Sequence, residues 1–384
     1  MCGVSHPTDD GPRAARPEEV PDLIELANLV FRTSSGRTPT MGQEFPLLLS
    51  AGNCQDLYVT RVGGRLVSLV GVYRQTMVCD GLELPVACVG SVCTHPDYRG
   101  RGLAGKLTDL AIARARQQGC LLMPISGNRT LYSRRCAFQI APTQVAQIGA
   151  DQLNSGGAPR LAVRRYDDGD LPAVLSLHTK RTVRYAWTQE TVGPVLKAHL
   201  DISSAAWVAC DKDDQPAGFL LVLHRGPMVG RGPGVVNHVG APETLGPLAR
   251  AAIEQIPAES IQFAALPGEI ESLAAIEAAG CPVETQTSGW TLRILDLAAL
   301  CERLSGRFAG VAGVSIAPGH GSEGLIITVD GQRIELADAA DVSAALFNGP
   351  QAWPEALTSL SCERQEVIGS VLPLPVPSYG LNFI

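Results

Sequence analysis

The sequence has no pair of cysteines at CxxC spacing and no group of cysteines and histidines at the spacing of metal ligands. Its 11 cysteines are scattered, and several stand inside apolar runs, where a thiol behaves as a small hydrophobic side chain. We therefore expect buried, reduced cysteines and no bound metal.

Long apolar runs and an excess of positive charge are also missing. No run reaches the about 20 residues that a membrane-spanning helix needs, and the first residues lack the apolar core of a signal peptide. The formal net charge of −7 argues against a broad nucleic-acid-binding surface. These absences predict a cytoplasmic protein that binds neither membrane nor nucleic acid.

A chain of 384 residues is long enough for two or three domains. Residues 1–150 are predicted to form one mixed α/β domain. Its hydrophobic periods and turn residues predict, in chain order, a helix at 17–32, strands at 57–62, 66–73 and 82–94, a helix at about 101–118 and a strand at 121–125. Gly63-Gly64 and Asp80-Gly81 are predicted to form the tight turns between the strands.

The rest of the chain divides into two further predicted domains. Residues 151–287 repeat the order of the first domain without its turn rich in arginine and glycine, which indicates a degenerate internal copy. Residues 288–384 combine helices with short strands joined at Asp330-Gly331. They end in GSVLPLPVPSYGLNFI, an apolar tail that its prolines keep extended.

The stretch VCTHPDYRGRGLAGKL (92–107) carries the strongest functional signal. Its residues 100–105 match GxGxxG, the pattern of a dinucleotide-binding loop. That site belongs to the first βα unit of a parallel sheet and needs an acidic residue about twenty positions later. Here antiparallel strands are predicted first, and residues 120–130 contain no acid. The dinucleotide interpretation is therefore weak.

The same turn is suited to a pyrophosphate. Gly100 and Gly102 let the backbone approach a ligand closely, and the helix that begins there offers unpaired amides and the positive end of its dipole. Arg99 and Arg101 add positive charge at the same place. A surface turn with no ligand is the alternative.

Arg99, Gly102 and Ala104 fit the pattern R-x-x-G-x-G/A after a strand that ends in Thr94-His95-Pro96. This stretch resembles the acetyl-CoA-binding signature of the GNAT superfamily of N-acetyltransferases. The resemblance implies acetyl-CoA as co-substrate and no metal. It assigns cofactor contacts to Val92, Cys93 and Thr94 along the pantetheine arm, to Arg99, Gly100, Arg101, Gly102, Leu103, Ala104 and Gly105 at the pyrophosphate, and to Gly127 and Asn128.

The arrangement of the whole chain resembles the enhanced intracellular survival (Eis-type) acetyltransferases. That resemblance implies tandem GNAT-like domains with mixed, mostly antiparallel central sheets and a smaller, sterol-carrier-like α/β domain at the C-terminus. It also implies a homo-oligomer and a tail that reaches the active site.

Acetyl transfer to an amine requires a base for the amine and an acid for the departing thiolate. The resemblance places the acid at Tyr132, after the short strand, although a buried core tyrosine is the alternative. The strand VACVGSVCT holds no carboxylate, and Glu83 and His95 beside it fit structural roles better. The Eis-type resemblance instead suggests the C-terminal carboxylate of Ile384 as base. The usual glycine after the tyrosine is replaced by Cys136, so we expect an altered turn there.

The predicted function is acetyl-CoA-dependent N-acetyl transfer to a primary amine of a small molecule or a protein lysine. The negative net charge favours cationic amines through its field. A non-catalytic protein that binds acyl-CoA or a hydrophobic ligand is the alternative. A different acyl donor is also compatible, because the motif recognises the CoA part alone.

Overall fold

A computed structural model describes residues 10–149, 152, 161–224, 232–265, 269–311, 313–377 and 381. Within these ranges the strands are β1 (Asp10–Ala14), β2 (Leu57–Val62), β3 (Arg65–Cys79), β4 (Leu82–Thr94), β5 (Leu122–Ile125), β6 (Ala137–Gln139), β7 (Thr143–Gly149), β8 (Ala162–Arg165), β9 (Val183–Tyr185), β10 (Ser204–Cys210), β11 (Pro216–Leu223), β12 (Gly234–Gly240), β13 (Ser260–Ala264), β14 (Val283–Gln286), β15 (Thr291–Ile294), β16 (Val314–Pro318), β17 (Leu325–Val329) and β18 (Gln332–Leu336).

The helices of the described chain vary from one turn to four. They are α1 (Val20–Phe31), α2 (Met41–Glu44), α3 (Leu103–Gln117), α4 (Thr130–Ser133), α5 (Leu171–Thr179), α6 (Gln189–Ile202), α7 (Leu245–Gln255), α8 (Ile270–Ala278), α9 (Leu297–Ala309), α10 (Ala339–Phe347), α11 (Glu355–Thr358) and α12 (Cys362–Gly369). The predicted mixed α/β fold class is confirmed. None of these helices is both long and apolar enough to span a bilayer, as far as the described ranges extend.

The first sheet has the order β1-β2-β3-β4-β5-β15-β6, and β9 pairs with the far end of β3. Its neighbours are antiparallel except for the parallel pair β4–β5. Both predicted turns are present: Gly63 and Gly64 have φ of 58° and 80°, and Asp80 and Gly81 have φ of 49° and 82°. Positive φ at both central residues matches the twist of the strands that such a turn joins.

The second sheet repeats this plan. Its order is β8-β10-β11-β12-β13-β7-β14, and β12–β13 is again the parallel pair. In each sheet the strand before the parallel partner has one extra residue, near Ser91 in β4 and near Val236 in β12. An internal copy of the first fold would show the same strand order, the same single parallel pair and a bulge in the same strand.

The two sheets exchange a strand. β7 follows β6 in the chain but pairs with β13 and β14 in the second sheet. In the first sheet the corresponding place, between β5 and β6, is taken by β15. β7 lies before the boundary predicted at 150/151 and β15 lies after the one predicted at 287/288, and each pairs with the sheet of another predicted domain. The division into three domains therefore stays a prediction.

The two faces of the first sheet have different partners. α3 covers one face, where Leu107 and Ala111 pack on Val70 and Val89. The other face packs against α1 and the third sheet, β16-β17-β18, in one continuous core that extends to Val376. The periodicity that predicted α1 is confirmed, with its inward residues buried: Val20, Leu23 and Ala27. The last segment, as far as Val376, therefore packs beside the first sheet.

The cysteines lie mostly in these cores. Eight of the ten that the structure describes are buried, and none of the ten is in a disulfide. Burial raises the pKa of Cys93 to about 12 and that of Cys88 to about 11. These side chains therefore fill space as neutral thiols.

A buried carboxylate fastens the edge of the first sheet. Glu19, 3% exposed, accepts hydrogen bonds of 2.8 Å from Arg13 and 2.9 Å from Arg61 and caps the amide of Arg16 at 2.8 Å. The bond from Arg13 contributes most to lowering the pKa of Glu19, from 4.5 to about 2. These bonds connect β1, β2 and the turn before α1.

We predict that Glu19→Gln lowers the free energy of unfolding at pH 7 by about 3 kcal/mol, because two arginines lose a buried charged partner. The folded pKa lies below the unfolded one, so this contribution is complete above pH 4.5 and disappears as the pH falls towards 2. Urea titrations at pH 7 and pH 2.5 measure both effects. Glu18→Gln, an exposed neighbour, is the control. A stability difference that is equal at the two pH values would contradict this account.

Candidate active site

The loop between β4 and α3 has an open, left-handed backbone. Gly100 and Gly102 have φ of 76° and 72°, which favours glycine strongly. A Cβ built on either residue would meet no atom within 4 Å. Among the described residues, the loop therefore has free space directly at its main chain.

The first amides of α3 face this space without a helical partner. The first helical hydrogen bond is donated by Lys106 to the carbonyl of Gly102, at 3.1 Å. The amides of Leu103, Ala104 and Gly105 precede it, and a helix offers them no acceptor. Unpaired amides and the positive end of a 15-residue helix together favour an anion at this place.

Two exposed arginines border the loop. Arg99 donates through Nε to the carbonyl of Thr94 at 3.3 Å, and Arg101 lies over the ring of Tyr98, 4.8 Å from its centre. Arg101 also donates to the Asp97 carbonyl at 3.4 Å. These contacts are weak and lie at the surface, so both guanidinium groups can turn towards a bound anion at little cost. The predicted pyrophosphate contacts 99–105 thus form one continuous structure.

The strands β4 and β5 separate beside this loop. Their last paired residues are Val89 and Ile125, and the Ser126 amide donates to the Val89 carbonyl at 3.2 Å. β4 continues to Thr94, while β5 has ended. Within the described chain, Val92, Cys93 and Thr94 therefore have no strand on the side of β5. A pantetheine arm could pair with this edge as an added strand does.

Ser91 marks the start of the open edge. It has φ of 52° and belongs to the bulge in β4, and its buried hydroxyl has no hydrogen-bond partner among the described groups. A bulge turns the main chain locally and redirects its polar groups. Ser91 could not be predicted from the sequence, because a serine within an apolar strand gives no signal of a bulge.

Tyr132 lies in α4 on the α3 side of the sheet, 4% exposed and packed in the same core cluster as Leu107. Its ring occupies the space beside Gly127, where a Cβ would come within 3.0 Å of Cε2. Thr291 from β15 donates to the Gly127 carbonyl at 2.8 Å and fixes this turn. Burial raises the pKa of Tyr132, so its phenol is protonated at neutral pH.

The remaining predicted contact on this turn, Asn128, is exposed. Thr291 was missed by sequence reasoning because it comes from the exchanged strand, 164 residues from Gly127. The turn after Tyr132 also differs from expectation at Cys136. This residue has φ of 55°, so it adopts the left-handed conformation that a glycine would favour, and β6 follows directly.

Arg135 connects the turn of Tyr132 to the start of α3. Its guanidinium bonds to Asp109 at 2.5 and 2.9 Å and to the Leu131 carbonyl at 3.0 Å. The same group lies 2.9 Å from the position of a Cβ on Gly105. A glycine at 105 therefore allows α4 and α3 to approach closely, which brings Tyr132 and the amide loop into one site.

The second sheet is closely packed where β12 ends. A Cβ on Gly240 would lie 2.7 Å from the Ala217 carbonyl oxygen, and one on Gly218, its partner in β11, only 2.5 Å from the Thr244 hydroxyl. Thr244 precedes α7 and also bonds to the buried His238 ring at 3.2 Å. The residue before the helix is thus a packed threonine here and an open glycine, Gly102, in the first sheet.

The two alternative bases, Glu83 and His95, lie at opposite ends of β4. Glu83 is exposed at the start of β4, eight residues before Ser91, a separation of about 27 Å along a strand. His95 is 7% exposed, and its Nδ1 accepts the Asp97 amide at 3.3 Å, which caps a short helical turn. Glu83 is therefore distant from the open edge, and the Nδ1 of His95 is occupied by this cap.

The predicted base, Ile384, lies outside the described residues. Leu381, described, is 5% exposed and packs in one cluster with Leu47 and Trp187. The preceding segment is also fixed: Cys79 donates through Sγ to the Pro375 carbonyl at 2.9 Å. No group of three or more histidines, cysteines or acids suited to a metal occurs among the described residues.

Comparisons with known proteins bear on the family and the fold. A family model described as an acetyltransferase (GNAT) domain matches residues 12–139. No curated protein matches the chain in sequence. Among solved structures, a GCN5-related N-acetyltransferase from Kribbella flavida is 16% identical with a TM-score of 0.64, covering 98% of this chain and 99% of its own.

Two further solved structures share the fold over almost the whole length. A GCN5-related N-acetyltransferase from Anabaena variabilis is 14% identical with a TM-score of 0.66, covering 97% of this chain and 99% of its own. Eis1 from Mycobacterium abscessus is 13% identical with a TM-score of 0.63, covering 96% and 98%. The predicted resemblance is thereby confirmed: over residues 12–139, the chain carries an acetyltransferase domain of the GNAT family.

Proposed function

We propose that this protein transfers the acetyl group of acetyl-CoA directly to a primary amine, with Tyr132 as acid and the carboxylate of Ile384 as base. The observation that carries the proposal is the open loop at Gly100 and Gly102, with unpaired amides at the start of α3. Such a loop fits a diphosphate.

The cofactor contacts follow from this loop. The diphosphate oxygens accept hydrogen bonds from amides within residues 100–105, and Arg99 and Arg101 neutralise its charge. The pantetheine arm pairs with the free edge of Val92, Cys93 and Thr94 and passes Gly127 and Asn128. This path directs the thioester towards the bulge at Ser91, beside the turn that holds Tyr132.

In the reaction the amine nitrogen loses one proton and the departing sulfur gains one. The amine nitrogen forms a bond to the carbonyl carbon, and the C–S bond to CoA then breaks. Tyr132 gives its phenolic proton to the departing sulfur, while the base takes a proton from the nitrogen. The raised pKa of Tyr132 suits this role, because the phenol must be protonated when the thiolate forms.

The position of Leu381 supports Ile384 as the base. Leu381 packs against Leu47 from the first segment and Trp187 from the second, so the tail lies beside the first sheet. Three further residues span at most about 10 Å in an extended chain. A carboxylate at Ile384 is then within reach of the face of β4 that an amine would approach.

A non-catalytic acyl-CoA-binding protein is the competing function. It shares the loop and the free strand edge, and it has no use for an acid or a base. Binding of CoA without thiol release from acetyl-CoA, tested against small amines and a lysine peptide, would favour it.

We also propose a homo-oligomer, and sedimentation velocity of the full-length protein measures its oligomeric state.

We predict that Gly102→Ala weakens binding of CoA at least tenfold, since a Cβ at φ of 72° both strains the loop and fills the space at the diphosphate. Isothermal titration calorimetry with CoA measures the loss. Gly119→Ala at the other end of α3 is the matched control, with φ of 75° and equally free space. Equal affinities of the two variants would show that the loop does not hold the diphosphate.

We predict that Tyr132→Phe lowers kcat about 100-fold and changes CoA affinity less than threefold, because the phenol acts on the departing thiolate alone. Thiol release from acetyl-CoA gives kcat, and calorimetry gives the affinity. Tyr58→Phe, a buried tyrosine on the same face of the sheet, is the control and keeps full turnover. A Tyr132→Phe enzyme with wild-type kcat would remove this residue from its role.

We predict that deletion of Phe383 and Ile384 lowers kcat at least 100-fold through loss of the base, with CoA affinity retained. Rates of single-turnover acetylation across pH 6 to 10 distinguish loss of the base from a structural effect of the deletion. If the base is missing, the rate recovers partly as the pH rises and more of the amine is neutral. A rate that equals the wild type at every pH would exclude the tail from catalysis.

A further inference from the structure

A cleft of about 240 Å³ opens on the face of the first sheet opposite α3. It lies where β3, the start of α6 and Leu381 of the tail meet. Residues from all three predicted domains form its walls, among them Leu47, Tyr73, Trp187, Thr191, Val195 and Leu381. The cleft therefore exists only in the assembled chain.

The cleft is close to the open edge of β4. Tyr73 pairs with Cys88, and Gly71 pairs with Gly90, the residue before the bulge at Ser91. Two residues along a strand span about 7 Å, so an amine whose body lies at Tyr73 can extend its nitrogen to Gly90, directly before the bulge. It approaches from the face opposite α3, the helix whose start would hold the diphosphate.

The walls of the cleft carry no carboxylate among the described residues. Arg74 is its one charged member, and alternation along β3 turns that guanidinium to the other face, where Nε bonds to Asp56 at 2.8 Å. The rings of Tyr73 and Trp187 and several aliphatic side chains form one part of the inner surface, and Gln75, Thr76 and Thr191 add polar groups to it. The two rings favour contact with an apolar body, and walls without a carboxylate cannot compensate several positive charges.

The aromatic wall is also preorganised. The Trp187 ring stacks on His178, with 3.8 Å between centres and 6° between planes. His178 is 1% exposed, and its Nε2 bonds to the Tyr185 carbonyl at 2.9 Å. Burial lowers the pKa of His178 to about 4, so the stack is neutral at pH 7. A fixed ring at the entrance favours a flat or branched apolar ligand.

We propose that this cleft is the acceptor subsite and that it selects a compact monoamine with an aromatic or branched aliphatic body over polyamines and aminoglycosides. This inference rests on the proposed acetyl transfer and specifies its substrate class. The volume of the cleft is below the about 300–1,000 Å³ of sites for drug-sized ligands. The proposal departs from the expectation that the negative net charge selects cationic amines. The local surface of the cleft, rather than the overall field of the protein, contacts the ligand.

The variant Thr191→Glu tests this proposal and keeps the N-terminal cap of α6. Thr188 and Thr191 form a capping box, in which the Thr188 amide donates to the Thr191 hydroxyl at 2.9 Å. Glutamate is a regular partner at this third helical position, so α6 keeps its cap while the cleft gains a carboxylate. Gln189→Glu is the matched control, because it adds the same charge on the same turn at an exposed residue that does not line the cleft.

The experiment compares kcat/KM for 2-phenylethylamine, spermidine, kanamycin and a lysine peptide with the full-length protein and acetyl-CoA. We expect the wild type to prefer 2-phenylethylamine at least tenfold over each of the others. Thr191→Glu should reduce its preference over spermidine about tenfold, and Gln189→Glu should leave it within twofold. A wild-type preference for spermidine, kanamycin or the peptide, or an unchanged ratio in Thr191→Glu, would overturn the proposal.

A binding measurement separates this proposal from the proposed function. Ala186 lines the cleft and is exposed, so Ala186→Phe fills the cleft without entering a core. With the CoA-loaded protein, calorimetry should show at least tenfold weaker binding of 2-phenylethylamine to Ala186→Phe and an unchanged affinity for CoA. Absent binding of 2-phenylethylamine to the wild type would overturn the acceptor subsite. CoA binding without turnover of any amine would instead contradict the proposed transferase.

Discussion

The structure of the site depends on the left-handed backbone at Gly102, where β4 has ended and α3 begins. This conformation allows the chain to turn into the helix while the first amides stay free of protein acceptors. Every other part of the site is arranged around that turn. The separation of β4 from β5 leaves the edge of β4 free, where we propose that the pantetheine arm pairs, and Arg135 brings α4 with Tyr132 against the first turn of α3.

The second sheet keeps the fold without that turn. Strand order, the parallel pair and the bulge are repeated, yet Thr244 stands before the helix and packs beside Gly218. The second copy contributes to the first in another way. It supplies Tyr185 to the far end of β3 and Trp187 to the cleft on the first sheet. The second copy thus builds part of a wall of the first.

Much of this could be predicted from the sequence wherever the signal is local. Left-handed residues need glycine or a short polar side chain, so Asp80-Gly81 and Gly63-Gly64 indicated their turns. The arginines and glycines of 99–105 indicated an anion site for the same reason. The exchange of β7 and β15 could not be predicted, because an apolar strand of four to seven residues does not specify which sheet it joins. Thr291 and the cleft at Tyr73 depend on that exchange and on long-range packing, so they were missed as well.

The central claim is that amides at the start of α3 hold the diphosphate of CoA. A crystal structure of the protein with acetyl-CoA tests it most directly. The account predicts diphosphate oxygens within about 3.2 Å of main-chain nitrogens in residues 100–105, the distance of an N–H···O hydrogen bond. An ordered acetyl-CoA whose diphosphate lies elsewhere, with this loop unchanged, would contradict it.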